Sequence, residues 1–302
     1  MKRRLLCGIL LIALGAGVYF YPDWSAARAK HQQEQVIRQF QSEVSISDMQ
    51  QEQEAENKDT VWTETVLEQS KAYNETLFET EQAAFRDAEA VKVVPDFFPD
   101  AREPIGILSI PAMDCTLPLY AGATDAHLNL GAAVLGGTSL PVGGKNTNSV
   151  IAAHRGWKNG KYFKEIEKLR PGNAVFVENP WETLCYKVEA CEVIAPTDSE
   201  RLKIQEGRDM LTLITCHPYR SHGASRYVVY CVRTDSGQGS FTVTESGDEK
   251  REEQPIEDAS TPDIQRELLC RRIGVCLILG CICMACVQTG KHLRKKQRRK
   301  KA

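Results

Sequence analysis

Thr212-Leu213-Ile214-Thr215-Cys216 ends an apolar run in a thiol, and Arg226 follows ten positions later. That spacing puts a cysteine at the end of one expected strand and a cation at the start of the next. A nucleophilic cysteine needs such a setting, because the thiolate is the reactive species and nearby positive charge favours it. Sixty-two residues earlier, Ile151-Ala152-Ala153-His154-Arg155-Gly156 ends a second apolar run in a histidine. Thiol, imidazole and guanidinium together point to acyl transfer through a thioester.

Side chains of an extended segment alternate between faces. Leu211, Leu213 and Thr215 therefore share one face, and Thr212, Ile214 and Cys216 the other. If residues 217–225 close a hairpin, Cys216 and Arg226 lie side by side at its mouth. Arginine does not deprotonate in proteins, so Arg226 is a poor base and a good holder of a carbonyl or oxyanion. His154, with an ordinary pKa near neutrality, is the candidate proton shuttle. His217 and His222 flank the same loop and compete for that role. They also raise a metal site with Cys216, but no CxxC pair or helical HxxxH supports one, and neither a metal nor a cofactor is expected.

The elements that would position these groups are short. Residues 105–110, 115–120, 149–154, 174–177, 184–194, 210–216 and 226–233 are β-rich runs bounded by turn residues. Seven or eight such strands in one region argue for an all-β-dominated barrel or sandwich. Lys161 to Leu169 carries Tyr162, Phe163, Ile166 and Leu169 at helical spacing and predicts a short helix. Residues 26–90 are rich in Gln, Glu, Lys and Ala, with Val36, Phe40 and Val44, then Val66, Tyr73 and Leu77, spaced for helices. They read as a helical stalk, with a disordered linker as the alternative. Residues 91–103 contain Pro95 and Pro99, which break any helix. The barrel is expected over 104–235 and an acidic linker over 236–267.

Both chain ends are apolar runs beside basic residues. Leu5 to Pro22 and Ile273 to Gly290 carry no charge, which predicts membrane helices at 1–25 and 268–290. A cleaved signal peptide ending near Ala27-Arg28-Ala29 is the alternative for the first. The tail, 291–302, holds eight Lys and Arg. The positive-inside bias then puts both termini in the cytoplasm and the catalytic part outside a cell membrane, with lipid headgroups as a partner of the tail. The formal net charge of −2 hides this clustering: the central region is acidic, and nothing in it points to a nucleic-acid partner. Of the eleven cysteines, five fall in that region. Cys185 and Cys191 share one expected strand, roughly 20 Å apart when extended, beyond disulfide reach.

The stretch from Ile105 to Arg233 resembles the sortase transpeptidases of Gram-positive bacteria. Thr212-Leu213-Ile214-Thr215-Cys216 matches the family's TLxTC motif, Arg226 its downstream arginine and His154 its histidine. Within the family the chain is similar to class C, the pilin polymerases, through Gly137 to Gly144, Ile110-Pro111, Leu117-Pro118-Leu119-Tyr120 and Tyr73-Asn74-Glu75-Thr76-Leu77. The resemblance implies an eight-stranded sortase β-barrel. It implies Cys216, His154 and Arg226 as catalytic residues, with Thr215 of the motif at the substrate. The expected partners are LPxTG-bearing pilin or surface proteins, and the expected product an isopeptide bond to a pilin lysine. Anchoring of surface proteins to peptidoglycan is the alternative. Class C sortases often carry an Asp-Pro-aromatic lid. This chain has no Asp-Pro, and Asp96 and Phe97 are the nearest candidates, packing between helices and barrel being the alternative.

Overall fold

The computed structural model describes residues 2–51, 64–83, 85, 90–98, 103–156, 160–219, 223–234, 264–266, 269–270 and 272–276. The chain forms two compact units, one of Met1–Tyr21 with Asp258–Ala302 and one of Pro22–Glu257. The second holds all eight described strands: β1 (Gly106–Ile110), β2 (Cys115–Ala121), β3 (Ala132–Val134), β4 (Thr147–Ala152), β5 (Ala174–Glu178), β6 (Thr183–Ile194), β7 (Asp209–His217) and β8 (Ser225–Arg233). They close into a barrel in the order β1-β2-β3-β4-β7-β8-β6-β5, β5 pairing back to β1. The β2–β3 and β4–β7 pairs are parallel and the other pairs antiparallel.

The β4–β7–β8 wall is covered on both faces. Ile151, Leu211, Leu213, Val229 and Cys231 join the main core, whereas Val150, Ile214 and Val228 pack outward with Ile194, Leu202 and Phe85. Double burial is why Met210 to Ile214 reads as a nearly unbroken apolar run. The alternation expected along β7 is the one observed.

The N-terminal helical segment forms and packs back on the barrel. Helix α1 spans Lys2–Gln51 and α2 Glu64–Glu79. Ile37, Phe40 and Val66 enter the barrel's core cluster, with Val44 and Tyr73 against its edge. Phe40 is 2% exposed, a burial worth about 2–3 kcal/mol. The buried α1 stripe runs through Ile37 where the sequence pointed to Val36. On α2, the Asn74 side chain brackets Leu140, accepting from its N–H at 2.7 Å and donating to its carbonyl at 3.0 Å. Tyr73 Oη accepts from the Gly137 N–H at 3.3 Å. The helices thus grip the segment that leads into β4.

Three expectations are corrected. Among the described residues no helix is long and apolar enough to cross a membrane. This overturns the two flanking membrane helices and the membrane location drawn from them. The first apolar run is the leading part of a 50-residue helix that continues into polar sequence. Residues 277–290 of the second run, and the tail, lie outside the described residues, as does most of the acidic linker. The helix expected over Lys161–Leu169 is a run of turns ending in one 3₁₀ turn, Ile166–Lys168. Tyr162 sits at φ 38, incompatible with a regular helix, and Arg170 precedes a proline, which disfavours helical geometry there. Finally, β3 and the helix α3 (Asp125–Leu130) were not anticipated. Ala132-Ala133-Val134 is too short and too poor in β-branched residues to signal a strand alone.

Candidate active site

Strand β7 is the middle of the site. In its parallel pairing with β4, Ala152 registers with Ile214. Ala153 and His154 leave the end of β4 as Thr215 and Cys216 continue along β7. Two hydrogen bonds hold these steps: the Ala153 N–H donates to the Ile214 carbonyl at 3.4 Å, and the Thr215 hydroxyl donates to the Ala153 carbonyl at 2.7 Å. On the other side, Cys216 is the Cα partner of Arg226 on antiparallel β8. Thiol and guanidinium therefore rise side by side from adjacent strands, and His154 lies two residues beyond the end of β4.

Cys216 is exposed, and His154 and Arg226 are half-buried. Tyr162 meets the His154 ring edge-on, with centroids 6.2 Å apart at 86°, and the Phe163 N–H donates to the His154 carbonyl at 3.0 Å. Arg226 Nη1 donates to the carbonyls of Gly223 at 2.9 Å and Ser225 at 3.2 Å. Gly223 has φ +85, and a Cβ built there would lie 2.7 Å from Arg226 Nη1 and 3.4 Å from Cys216 Sγ. The sulfur and the guanidinium thus flank one point that only a glycine leaves open.

Both motif threonines are buried. Thr212 donates its hydroxyl to Asn148 Oδ1 on β4 at 2.8 Å, as Thr215 does to the Ala153 carbonyl. They rivet β7 to β4, and Thr215, 4% exposed, turns away from the face that Cys216 presents. His217 is engaged beside the thiol, its Nδ1 3.0 Å from both Arg155 Nη1 and Glu167 Oε1. His222 lies outside the described residues. Asp96 is exposed. The Phe97 ring packs against Tyr73 of α2, with centroids 6.3 Å apart, and against Phe98 at 4.9 Å.

Three other barrel thiols are poor nucleophiles by environment. Burial pushes Cys115 up to about 12 and also raises Cys231 and Cys191, because an apolar surround disfavours thiolate. Among the described residues no three His, Cys, Asp or Glu side chains converge as a metal site would require. The sequence reading overlooked Arg155, Glu167 and Gly223. The first directly follows His154, which was a usable signal; the other two become visible only when loops converge.

A closed eight-stranded barrel carries an exposed thiol beside the Arg226 guanidinium near the end of β7. A sortase domain model matches residues 108–234. Sortase A of Bacillus anthracis is 30% identical over 179 residues, covering 58% of this chain and 80% of that protein. Sortase C1 of GBS pilus island 1 superposes with a TM-score of 0.55 at 28% identity, covering 70% of this chain and 96% of that one. Clostridium perfringens sortase C, solved with the C-terminal cell wall sorting motif, gives 0.51 at 34% identity, covering 63% and 98%. The chain belongs to the sortase family, in its class C branch.

Proposed function

We propose that this sortase is a cysteine transpeptidase that cleaves an LPxTG-like sorting signal and joins the new end to a pilin lysine. The thiolate of Cys216 attacks the threonine carbonyl carbon, and Arg226 holds the oxyanion that forms. The C–N bond to glycine breaks as His154 gives its proton to the departing amine. This leaves a thioester on Cys216. A neutral lysine amine then attacks that carbonyl, His154 takes the surplus proton, and the C–S bond breaks to release an isopeptide and the thiolate. Water in place of the amine gives hydrolysis as a side reaction. Thr215 serves the reaction through its hold on Ala153 rather than by touching substrate. Phe97 is assigned to packing between α2 and the barrel.

The observation that carries this reading is the pairing of Cys216 with Arg226 across β7 and β8, with His154 two residues past the end of the neighbouring β4. The likeness to sortase C1 of GBS pilus island 1 supports a pilin acceptor over peptidoglycan. The test is incubation of the full chain with an LPxTG peptide, followed by mass spectrometry. An acyl adduct on the peptide containing Cys216 is expected in the wild type and not in Cys216→Ala. An adduct on any other residue, or none, rejects the mechanism. Transfer to a pilin lysine in a second incubation separates pilin joining from peptidoglycan anchoring.

A further inference from the structure

Glu167 lies in the 3₁₀ turn Ile166–Lys168, outside the strands that carry the reactive groups. Its carboxylate accepts a short charged hydrogen bond from Arg155 Nη2, and its Oε1 lies 3.0 Å from His217 Nδ1. Arg155 Nη1 reaches the same ring nitrogen at 3.0 Å. Arg155 immediately follows His154, and His217 immediately follows Cys216. One carboxylate is therefore shared by the two residues adjoining the proposed base and nucleophile.

The environment makes this contact demanding. The Arg155 side chain is 2% exposed and that of Glu167 16%. A guanidinium that buried requires a paired charge. Among the described residues its Nε has no partner, so its hydrogen bonds go to Glu167 and His217. The ring nitrogen of His217 accepts from Arg155 when unprotonated and donates to Glu167 when protonated, so either form stays tied to the pair. A second contact joins the same segments. Tyr219 packs where a Cβ on Gly156 would fall, 3.1 Å from it, and Lys164 Nζ lies 5.3 Å from the centroid of the Tyr219 ring. The backbones leaving β4 and β7 are thus held to the turn that carries Glu167.

We propose that Glu167 is a positioning residue for the transpeptidation: it sets the separation of His154 and Cys216 by anchoring the residue that follows each. The inference rests on the reading of those two as the reacting pair. Misplacing a reacting group by about 1 Å costs on the order of 10²-fold in rate. The experiment compares full-chain wild type, Glu167→Ala and Glu167→Gln in cleavage of an LPxTG peptide, with thermal unfolding of each. A kcat lowered about 10²-fold in Glu167→Ala at nearly unchanged KM, in a protein that still unfolds cooperatively, is the expected result. Wild-type kcat overturns the proposal, and so does a loss confined to KM. Should Glu167→Ala not fold, Glu167→Gln decides, since it keeps the shape and one acceptor. A kcat reduced about tenfold or more supports the proposal and an unchanged kcat overturns it. Acyl-enzyme formation by the wild type is scored separately. Its absence ends both the mechanism and this inference, whereas its presence with indifferent Glu167 variants ends the inference alone.

Discussion

The hydroxyl of Thr215 donates to the carbonyl of Ala153 at 2.7 Å, yoking the residue before the thiol to the residue before the imidazole. Thr212 makes the matching tie to Asn148 at 2.8 Å four residues below the thiol. The two threonines of the motif are therefore interstrand fasteners at different distances from the reaction. Replacing either with valine keeps the shape and leaves a buried acceptor short of a partner, at a cost of about 1–3 kcal/mol. Chemical denaturation is expected to report similar losses for both. Cleavage of a sorting-signal peptide is expected to separate them, with kcat falling about tenfold in Thr215→Val and much less in Thr212→Val. Equal kcat values would place the reactive spacing under other control.

Gly223→Ala tests the opening between sulfur and guanidinium. The added methyl meets Arg226 Nη1 at 2.7 Å and Cys216 Sγ at 3.4 Å, at φ +85. The backbone conformation alone costs about 1–2 kcal/mol for an L-residue. Arg226 must then leave its two carbonyl partners. Acyl-enzyme formation, followed by the burst of released glycine fragment, is expected to slow on the order of 10²-fold. A burst of normal size and rate would mean that Arg226 does not act from this position.

Much of this is legible in the sequence alone. The strand runs, the two faces of β7 and the adjacency of Cys216 and Arg226 all follow from local pattern and residue chemistry. What escaped was long-range or weakly coded. Asn74 seeks a backbone partner 66 positions away at Leu140, and no periodicity announces such a pair. Glu167 lies 12 residues from Arg155, inside a stretch whose apolar spacing imitates a helix. The apolar run near the N-terminus was read in isolation, yet it belongs to a helix whose length is set by the polar sequence that follows.

Phe97→Ala distinguishes packing from gating. Its ring lies against Tyr73 and Phe98, and the side chain is only partly buried. The substitution is expected to lower stability by less than the about 3–5 kcal/mol of a fully buried phenylalanine, seen as a lower Tm, while free-peptide hydrolysis stays at the wild-type rate. Faster hydrolysis would restore Asp96 and Phe97 as a lid.

The acid range carries a signature of Asp209. Burial raises its pKa above the ordinary 3.8, only partly offset by hydrogen bonds from the Gly144 N–H and the hydroxyls of Tyr186 and Thr147. Between 3.8 and the raised value the folded state binds the proton more tightly than the unfolded one, so this group's contribution to stability falls as pH rises through that window. Asp209→Asn removes the effect. The stability of the variant relative to wild type is therefore expected to increase from below pH 3.8 towards neutrality, as read by urea denaturation across that range. A difference that does not change with pH would show that Asp209 titrates alike in both states.

The pairing of β5 back onto β1 has a consequence for how a tail is read. A ring of strands has no raw margin, so an incoming polypeptide cannot dock by zipping its amides onto an unfinished sheet. For the proposed peptide substrate, selectivity would then come from side-chain fit and from groups beside the sulfur such as Arg226. Letters of the tail would then be recognised one by one, by shape, and a change in any one should be felt locally rather than along the whole strand.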